Sequence, residues 1–326
     1  MIYFILGISL QNMGGFMFEF IMVSIMMVLI FFIICYQIFV ALVDKKEKST
    51  KSRRKIMEFE EFVKRKISES PAKKWFEEQA KEDVYIETND NLKLHAYEII
   101  NKKADNKWVI LVHAYASESL QLKHCAMKFY ENGYNILLLD SRACGQSEGE
   151  YLGLGYKDSQ DLKEWITYLN KDKKNIDITL YGMSMGASAV LLLASKNLKS
   201  VKMVISDSAY SSVKKLLELE MKNTYKIPKV LSKVILKAVS GFSKLILGFS
   251  FDNTSTTKVA KKITVPTLII HGKADKFVPY YMSEKLYNNL KCPKELLAIE
   301  NANHCEGCWT KEKEYWDTVE KFLKKY

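Results

Sequence analysis

The sequence predicts an α/β domain, a mostly parallel β-sheet with helices on both faces and a helical insert, preceded by one N-terminal transmembrane helix. Three observations carry that prediction. Residues 20–43 form a block without a charged side chain. From residue 84 onward, short runs that are apolar on both faces alternate with helical patterns, as buried parallel strands and their crossover helices do. Residues 208–262 break that alternation with a long lysine- and leucine-rich stretch that holds no good strand.

The anchor comes first. Its 24 residues rise about 36 Å as a helix, enough for a hydrocarbon core of about 30 Å with some tilt. A buried core helix would show a polar face, and Ser24, Tyr36 and Gln37 do not make one. A cleaved signal peptide wants a basic start and a small-residue cleavage site. Residues 1–19, an apolar N-terminal segment, hold no Lys or Arg, and no such site follows the block. The reading is a retained, single-pass helix. Directly after it, residues 44–55 (DKKEKSTKSRRK) carry seven basic residues against Asp44 and Glu47, which assigns that flank and the body behind it to the cytoplasm. Residues 44–82 read as a basic juxtamembrane and amphipathic helical stalk, broken at Pro71. Its apolar side is expected to pack on the domain, the alternative being the membrane surface.

The domain itself spans 83–326. VYIET (84–88) and LKLHAYEII (92–100) alternate apolar and polar residues around Asn89-Asp90-Asn91, a hairpin signal. Fully apolar runs follow at 108–114, 135–140, 178–183, 201–207, 267–272 and 295–300, with helical patterns at 118–132, 156–170, 185–197, 279–291 and 311–325. The segment 208–262 is too long for an ordinary connection and reads as a helical cap over the sheet edge. Within it, 227–249 has a wide apolar face, with a break between two helices expected at Ser240-Gly241.

The formal net charge of +11 invites a nucleic-acid reading, and the make-up of that charge argues against it. The arginines are Arg53, Arg54, Arg65 and Arg142, and the remaining basic residues are lysines scattered along the chain. Base and phosphate readers favour the planar fork of arginine, and no nucleic-acid-binding motif accompanies the charge. Of six cysteines, Cys35 lies in the anchor; the other five have no framework spacing, which fits free thiols in a reducing compartment.

Chemistry enters at Gly182-Met183-Ser184-Met185-Gly186, which follows the apolar run ITLYGM and precedes the helical ASAVLLLAS. Gly-x-Ser-x-Gly at a strand-to-helix turn presents a serine Oγ at the carboxyl edge of a sheet, with the next helix aiming its N-terminus at a developing oxyanion. A serine needs a base, and the base an orienting acid. In this arrangement they follow in the order Ser, Asp or Glu, His. Asp275, in TLIIHGKAD, and His304, in ELLAIENANH, each lie in a loop after a strand. Asp207, which ends VISD, is the alternative acid. The other four histidines sit in a strand (His95), a helix (His124) or at strand ends (His113, His271), and read as structural. Backbone N–H groups of Met185 and Tyr115 are the expected oxyanion donors. Cys305 and Cys308 form a Cys-x-x-Cys directly after His304; without a second Cys/His cluster they read as loop cysteines rather than zinc ligands.

These pieces resemble the serine-hydrolase branch of the α/β-hydrolase superfamily. The closest likeness is to bacterial membrane-anchored lipase/esterase-like and acyl-aminoacyl-peptidase-like members. HAYAS (113–117), DSRACGQSEG (140–149), GMSMG and the HGKAD…NH pair carry the resemblance, over residues 84–326. Asp140, Arg142, Gly145, Ser147 and Gly149 match the family's D-x-R-x-x-G-x-S-x-G loop, which the resemblance makes structural. His113-Ala114 departs from the family's frequent His-Gly, and Cys144 stands where His or Tyr is common. The resemblance implies hydrolysis of an ester or related acyl bond through an acyl-enzyme on Ser184, with no metal or organic cofactor. The alternatives are a peptidase of the same fold and an inactive, membrane-tethered binding protein. The anchor and the apolar cap suggest a lipophilic acyl substrate, with the 227–249 face lining its pocket; the plainer expectation is that this face packs on the sheet edge.

Overall fold

A computed structural model describes residues 2–45, 51–173 and 175–326. Of the basic run at 44–55, residues 46–50 lie outside the described residues. The chain opens with one continuous helix, α1, Ile2–Val43. It therefore begins well before Phe20, because no proline interrupts the apolar residues ahead of the uncharged block. Two shorter helices follow, α2 (Lys51–Ser68) and α3 (Pro71–Glu78). The Ser70 hydroxyl accepts from the Ala72 N–H at 3.3 Å and Pro71 takes the first turn, so the break before α3 is a capped helix start. Val63, Ile67 and Phe76 are buried against the body.

Eight strands form one sheet. They are β1 (Glu82–Glu87), β2 (Lys93–Ile99), β3 (Lys107–Val112), β4 (Asn135–Leu139), β5 (Asp177–Met183), β6 (Val201–Asp207), β7 (Thr267–Gly272) and β8 (Lys294–Ile299). Their spatial order is β1-β2-β4-β3-β5-β6-β7-β8. The β1–β2 and β2–β4 pairs are antiparallel and all later pairs are parallel. Between them run α4 (Lys123–Glu131), α5 (Tyr156–Asp172), α6 (Met185–Ala194), α7 (Val213–Asn223), α8 (Lys229–Leu247), a short α9 (Thr256–Val259), α10 (Tyr281–Asn289), a short α11 (Gly307–Thr310) and α12 (Glu312–Lys325).

Each face of the sheet buries its own core. One face packs on α5, α6 and α10 through Trp165, Leu169, Val190 and Leu286; the other packs on α4 and α12 through Phe129, Tyr315, Trp316 and Phe322. A third apolar cluster lies at the carboxyl edge and joins α1, α7 and α8 to the sheet. Cys35, Phe39 and Val43 are fully buried in it, and their spacing of four puts them on one face of α1. Burying those three side chains contributes roughly 5 kcal/mol. Phe242 of α8 packs on the same stretch of α1, with ring centroids 5.5 Å from Tyr36 and 6.4 Å from Phe39.

One expectation for 227–249 is corrected and a second is narrowed. Helix α8 runs unbroken through Ser240 and Gly241. Instead of opening a break, the Ser240 hydroxyl accepts the Phe251 N–H at 3.0 Å, and a Cβ on Gly241 would meet nothing within 4 Å. Of the 227–249 face, Ile227, just ahead of α8, lines the cavity described below, whereas Val230 and Leu245 of α8 are 77% and 81% exposed.

Candidate active site

Because β3 and β5 through β8 are parallel, the loops after them gather at one edge, where open α/β sheets bind ligands. Ser184 follows β5 there, Asp207 ends β6, Asp275 follows β7, His304 follows β8 and Tyr115 follows β3. Ser184 sits at φ 54° and ψ −108°, a backbone conformation unfavourable for a residue with a Cβ. Its N–H donates to the Asp207 carbonyl at 2.8 Å, which holds the turn. The flanking glycines are required by contact. A Cβ on Gly182 would lie 2.3 Å from the Gly186 oxygen, and one on Gly186 would lie 2.1 Å from the Val112 oxygen. Their absence lets α6 start directly against the end of β3.

The structure brings Ser184, His304 and Asp275 into one chain of hydrogen bonds. His304 Nδ1 lies 2.6 Å from Asp275 Oδ2 and Nε2 lies 2.8 Å from Ser184 Oγ. A carboxylate only accepts, so Nδ1 carries the proton and Nε2 of the neutral ring accepts the serine hydroxyl. Asp275 Oδ1 takes the N–H groups of Phe277 and Val278, both at 2.8 Å. His271 donates through Nε2 to the Val278 carbonyl at 2.7 Å and to Asp275 Oδ2 at 3.1 Å, while its Nδ1 accepts the Ser283 hydroxyl at 2.7 Å.

These contacts set the charges. Burial disfavours ionised Asp275, but the positive charge that His304 can take and the His271 hydrogen bond outweigh it and hold the carboxyl well below the usual range. Burial likewise disfavours an imidazolium at His304, and the Asp275 carboxylate overrides it, so its pKa lies well above the ordinary histidine value. Phe277 packs its ring at 5.1 Å from that of His304. Asp207 has other partners: it accepts the Ser208 and Tyr315 hydroxyls at 2.8 and 2.9 Å, and burial raises its pKa.

Two backbone positions lie at the same sheet edge. Met185 opens α6, and the first N–H groups of a helix have no intrahelical acceptor. Tyr115 lies in the loop after β3, whose path is fixed by His113. His113 Nδ1–H donates to the Ala114 carbonyl at 2.7 Å and Nε2 accepts the Ser141 N–H at 2.9 Å. Burial lowers its pKa and keeps the ring neutral. Asp140 ties the D-x-R-x-x-G-x-S-x-G loop to the edge by accepting the Ser119 and Gln146 N–H groups at 2.8 and 3.0 Å. Cys305 and Cys308 are buried free thiols, and burial pushes Cys305 up to about 11, so it stays a thiol at neutral pH.

Ser184 opens into a cavity of about 300 Å³. Part of what surrounds it comes from the 208–262 stretch expected over the sheet edge, and the part from α1 was not foreseen. Leu216, Leu217 and Met221 of α7 line one side, and Ile38, Ala41 and Leu42 of α1 line another. The Tyr115 hydroxyl donates to the Leu42 carbonyl at 2.5 Å. No period in the sequence singled out these α1 positions, because the whole block around them is apolar.

Comparison with known proteins agrees with this architecture. The family model described as Serine aminopeptidase, S33, matches residues 103–245 and 244–306. The uncharacterized protein YqkD of Bacillus subtilis (strain 168) is 28% identical over 250 residues, 76% of this chain and 81% of that protein. The uncharacterized membrane protein YNL320W of Saccharomyces cerevisiae is 24% identical over 247 residues, 74% of this chain and 79% of that one. A crystal structure of the Pyrococcus furiosus esterase Pf2001 is 27% identical, with a TM-score of 0.63 over 76% of this chain and 92% of that one.

Proposed function

The chain belongs to the S33 serine aminopeptidase family and is a hydrolase of α/β-hydrolase fold, and from that footing we propose that it is a membrane-anchored serine hydrolase cleaving esters of lipophilic acyl groups. The observation that carries the ester reading is the cavity over Ser184. Its lining is apolar apart from the serine, three tyrosines and Glu220, which suits an acyl chain better than a peptide backbone that must have its hydrogen bonds met.

The reaction follows from the hydrogen-bond chain. Ser184 Oγ attacks the acyl carbonyl carbon as its proton passes to His304 Nε2, and the Asp275 carboxylate stabilises the imidazolium that forms. The N–H groups of Met185 and Tyr115 receive the oxyanion. When the ester C–O bond breaks, His304 returns the proton to the departing alcohol. Water then attacks the acyl-enzyme, giving its proton to Nε2; the carbonyl–Oγ bond breaks, the carboxylic acid leaves and Ser184 regains its hydrogen. In the same reading residues 208–262 act as a cap. The anchor is the Met17–Val43 stretch of α1, which is long and apolar enough to cross a membrane, and the basic flank at 44–55 sets the body on the cytoplasmic side.

The peptidase reading keeps one observation in its favour. Glu220 is the single charged side chain among the residues that line the cavity, and a carboxylate there suits a free α-ammonium group. A series of p-nitrophenyl esters run beside aminoacyl-p-nitroanilides separates the two. The ester reading expects turnover of the esters to dominate, and faster anilide cleavage that is lost in Glu220→Gln would replace it. Fluorophosphonate labelling of the wild type, absent in Ser184→Ala, tests for an enzyme at all; an unlabelled wild type means an inactive binding protein.

A further inference from the structure

We infer that α1 is a wall of the substrate site as well as an anchor, and that the substrate is a long-chain lipid ester taken directly from the bilayer. The inference rests on the ester-hydrolase reading and names its substrate class. Ile38, Ala41 and Leu42 line the same cavity as Ser184, so the nucleophile and the anchor share one apolar space. The arrangement is held in place. Cys35, Phe39 and Val43 fix the packed face of α1, and the Tyr115 hydroxyl fastens the Leu42 carbonyl to the loop after β3.

Depth along the helix points to the source of the substrate. Ile38 lies about 7.5 Å along the axis from Val43, and Asp44 and Lys45 follow at once. The α1 wall of the cavity therefore lies within about a turn and a half of the end of the uncharged block, at the boundary where lipid chains meet their head groups. Ile33, well around the helix from Ile38, Ala41 and Leu42, is exposed, so the helix meets lipid with one face and the cavity with another. An acyl chain passing around the edge of α1 into a cavity walled by α7 leaves one apolar medium for another without crossing water. A small water-soluble ester has no use for such a wall.

The test uses the full chain reconstituted into vesicles of diether phosphatidylcholine, which offers no competing ester. Hydrolysis of p-nitrophenyl palmitate and p-nitrophenyl acetate is compared. Ala41→Trp, which fills the cavity from the α1 side, should lower the palmitate-to-acetate rate ratio at least ten-fold. Ile38→Ala, which enlarges it, should raise that ratio at least three-fold. Ile33→Trp, on the lipid side, should leave the ratio within two-fold of wild type. Fluorophosphonate labelling confirms that each variant is folded; should Ala41→Trp fail to label, Ile38→Ala decides alone. An unchanged ratio in the folded cavity variants, or an equal shift in Ile33→Trp, overturns the inference. Failure of the underlying reading looks different: Ser184→Ala would then still hydrolyse both esters.

Discussion

The cavity over Ser184 has two unlike walls. At the sheet edge, every polar atom of the Ser184–His304–Asp275 chain is held by short hydrogen bonds, and the serine's backbone is strained at φ 54°. Opposite it, Ile38, Ala41, Leu42, Leu216, Leu217 and Met221 present apolar surface on two helices, which the sheet ladder does not fix. The first wall specifies positions to a fraction of an ångström, as bond-making requires. The second specifies volume and polarity, which hydrophobic contact reads loosely. The proposed ester reading thus assigns reaction type to the edge and chain-length preference to the helices.

If that division is right, substitutions at the edge should lower turnover of all esters alike. Ser184→Ala and His304→Ala should each reduce kcat by at least ~10³-fold, and the double mutant should cost little more, because the residues act as a unit. Multiplying losses would break the unit apart. Asp275→Asn should cost about 10²–10⁴-fold, against under about ten-fold for Asp207→Asn, whose carboxylate answers to the Ser208 and Tyr315 hydroxyls. A larger loss at Asp207 would reassign the orienting acid.

The pH profile sharpens the same point. The base works when neutral, so kcat/KM should climb as pH rises through the His304 pKa. Asp275 holds that pKa above the ordinary histidine value of about 6.5, and Asp275→Asn should move the acid limb to lower pH along with the loss of rate. A limb that stays put would mean another group titrates.

Smaller effects belong to the boundary between the walls. Tyr115→Phe removes the bond to the Leu42 carbonyl, worth about 1 kcal/mol, and should lower Tm of the full chain in detergent by about 2 °C. Leu245→Ser, on the exposed face of α8, should change neither turnover nor chain-length preference. A shift there would show that α8 reaches the substrate after all.

What could be read from the sequence follows the same division. The parallel strands announced themselves as apolar runs, and Gly182 and Gly186 marked the turn because only a missing side chain clears the backbone contacts there. Chain order alone suggested that Asp275 and His304 would meet Ser184, since loops after parallel strands share an edge. The α1 part of the helical wall was not legible. In residues 20–43 nearly every position is apolar, so the packed stripe of Cys35, Phe39 and Val43 leaves no period to detect. The greasy face of 227–249 was also read too broadly, since Ile227 is the residue of it that lines the cavity. Its apolar residues outnumber those the fold buries, and α7, with fewer of them, turned out to hold Leu216 and Leu217 against the cavity. His271 looked like a strand-end histidine, and its bond to Asp275 appears only once β7 and the loop after it are in place.

The packed stripe on α1 also has a bearing on when the protein becomes an enzyme. Leu42 leaves the ribosome before Ser184, and the roughly 140 residues between them take on the order of ten seconds to synthesise. The nucleophile's strand therefore condenses beside a helix that has already found its place. A chain in which α1 goes astray must leave the rest of the stripe's apolar cluster, Met185 and Tyr210 among it, without its cover. In the proposed reading, a misplaced copy would present an incomplete apolar cleft, and esterolysis would be confined to molecules that were delivered correctly.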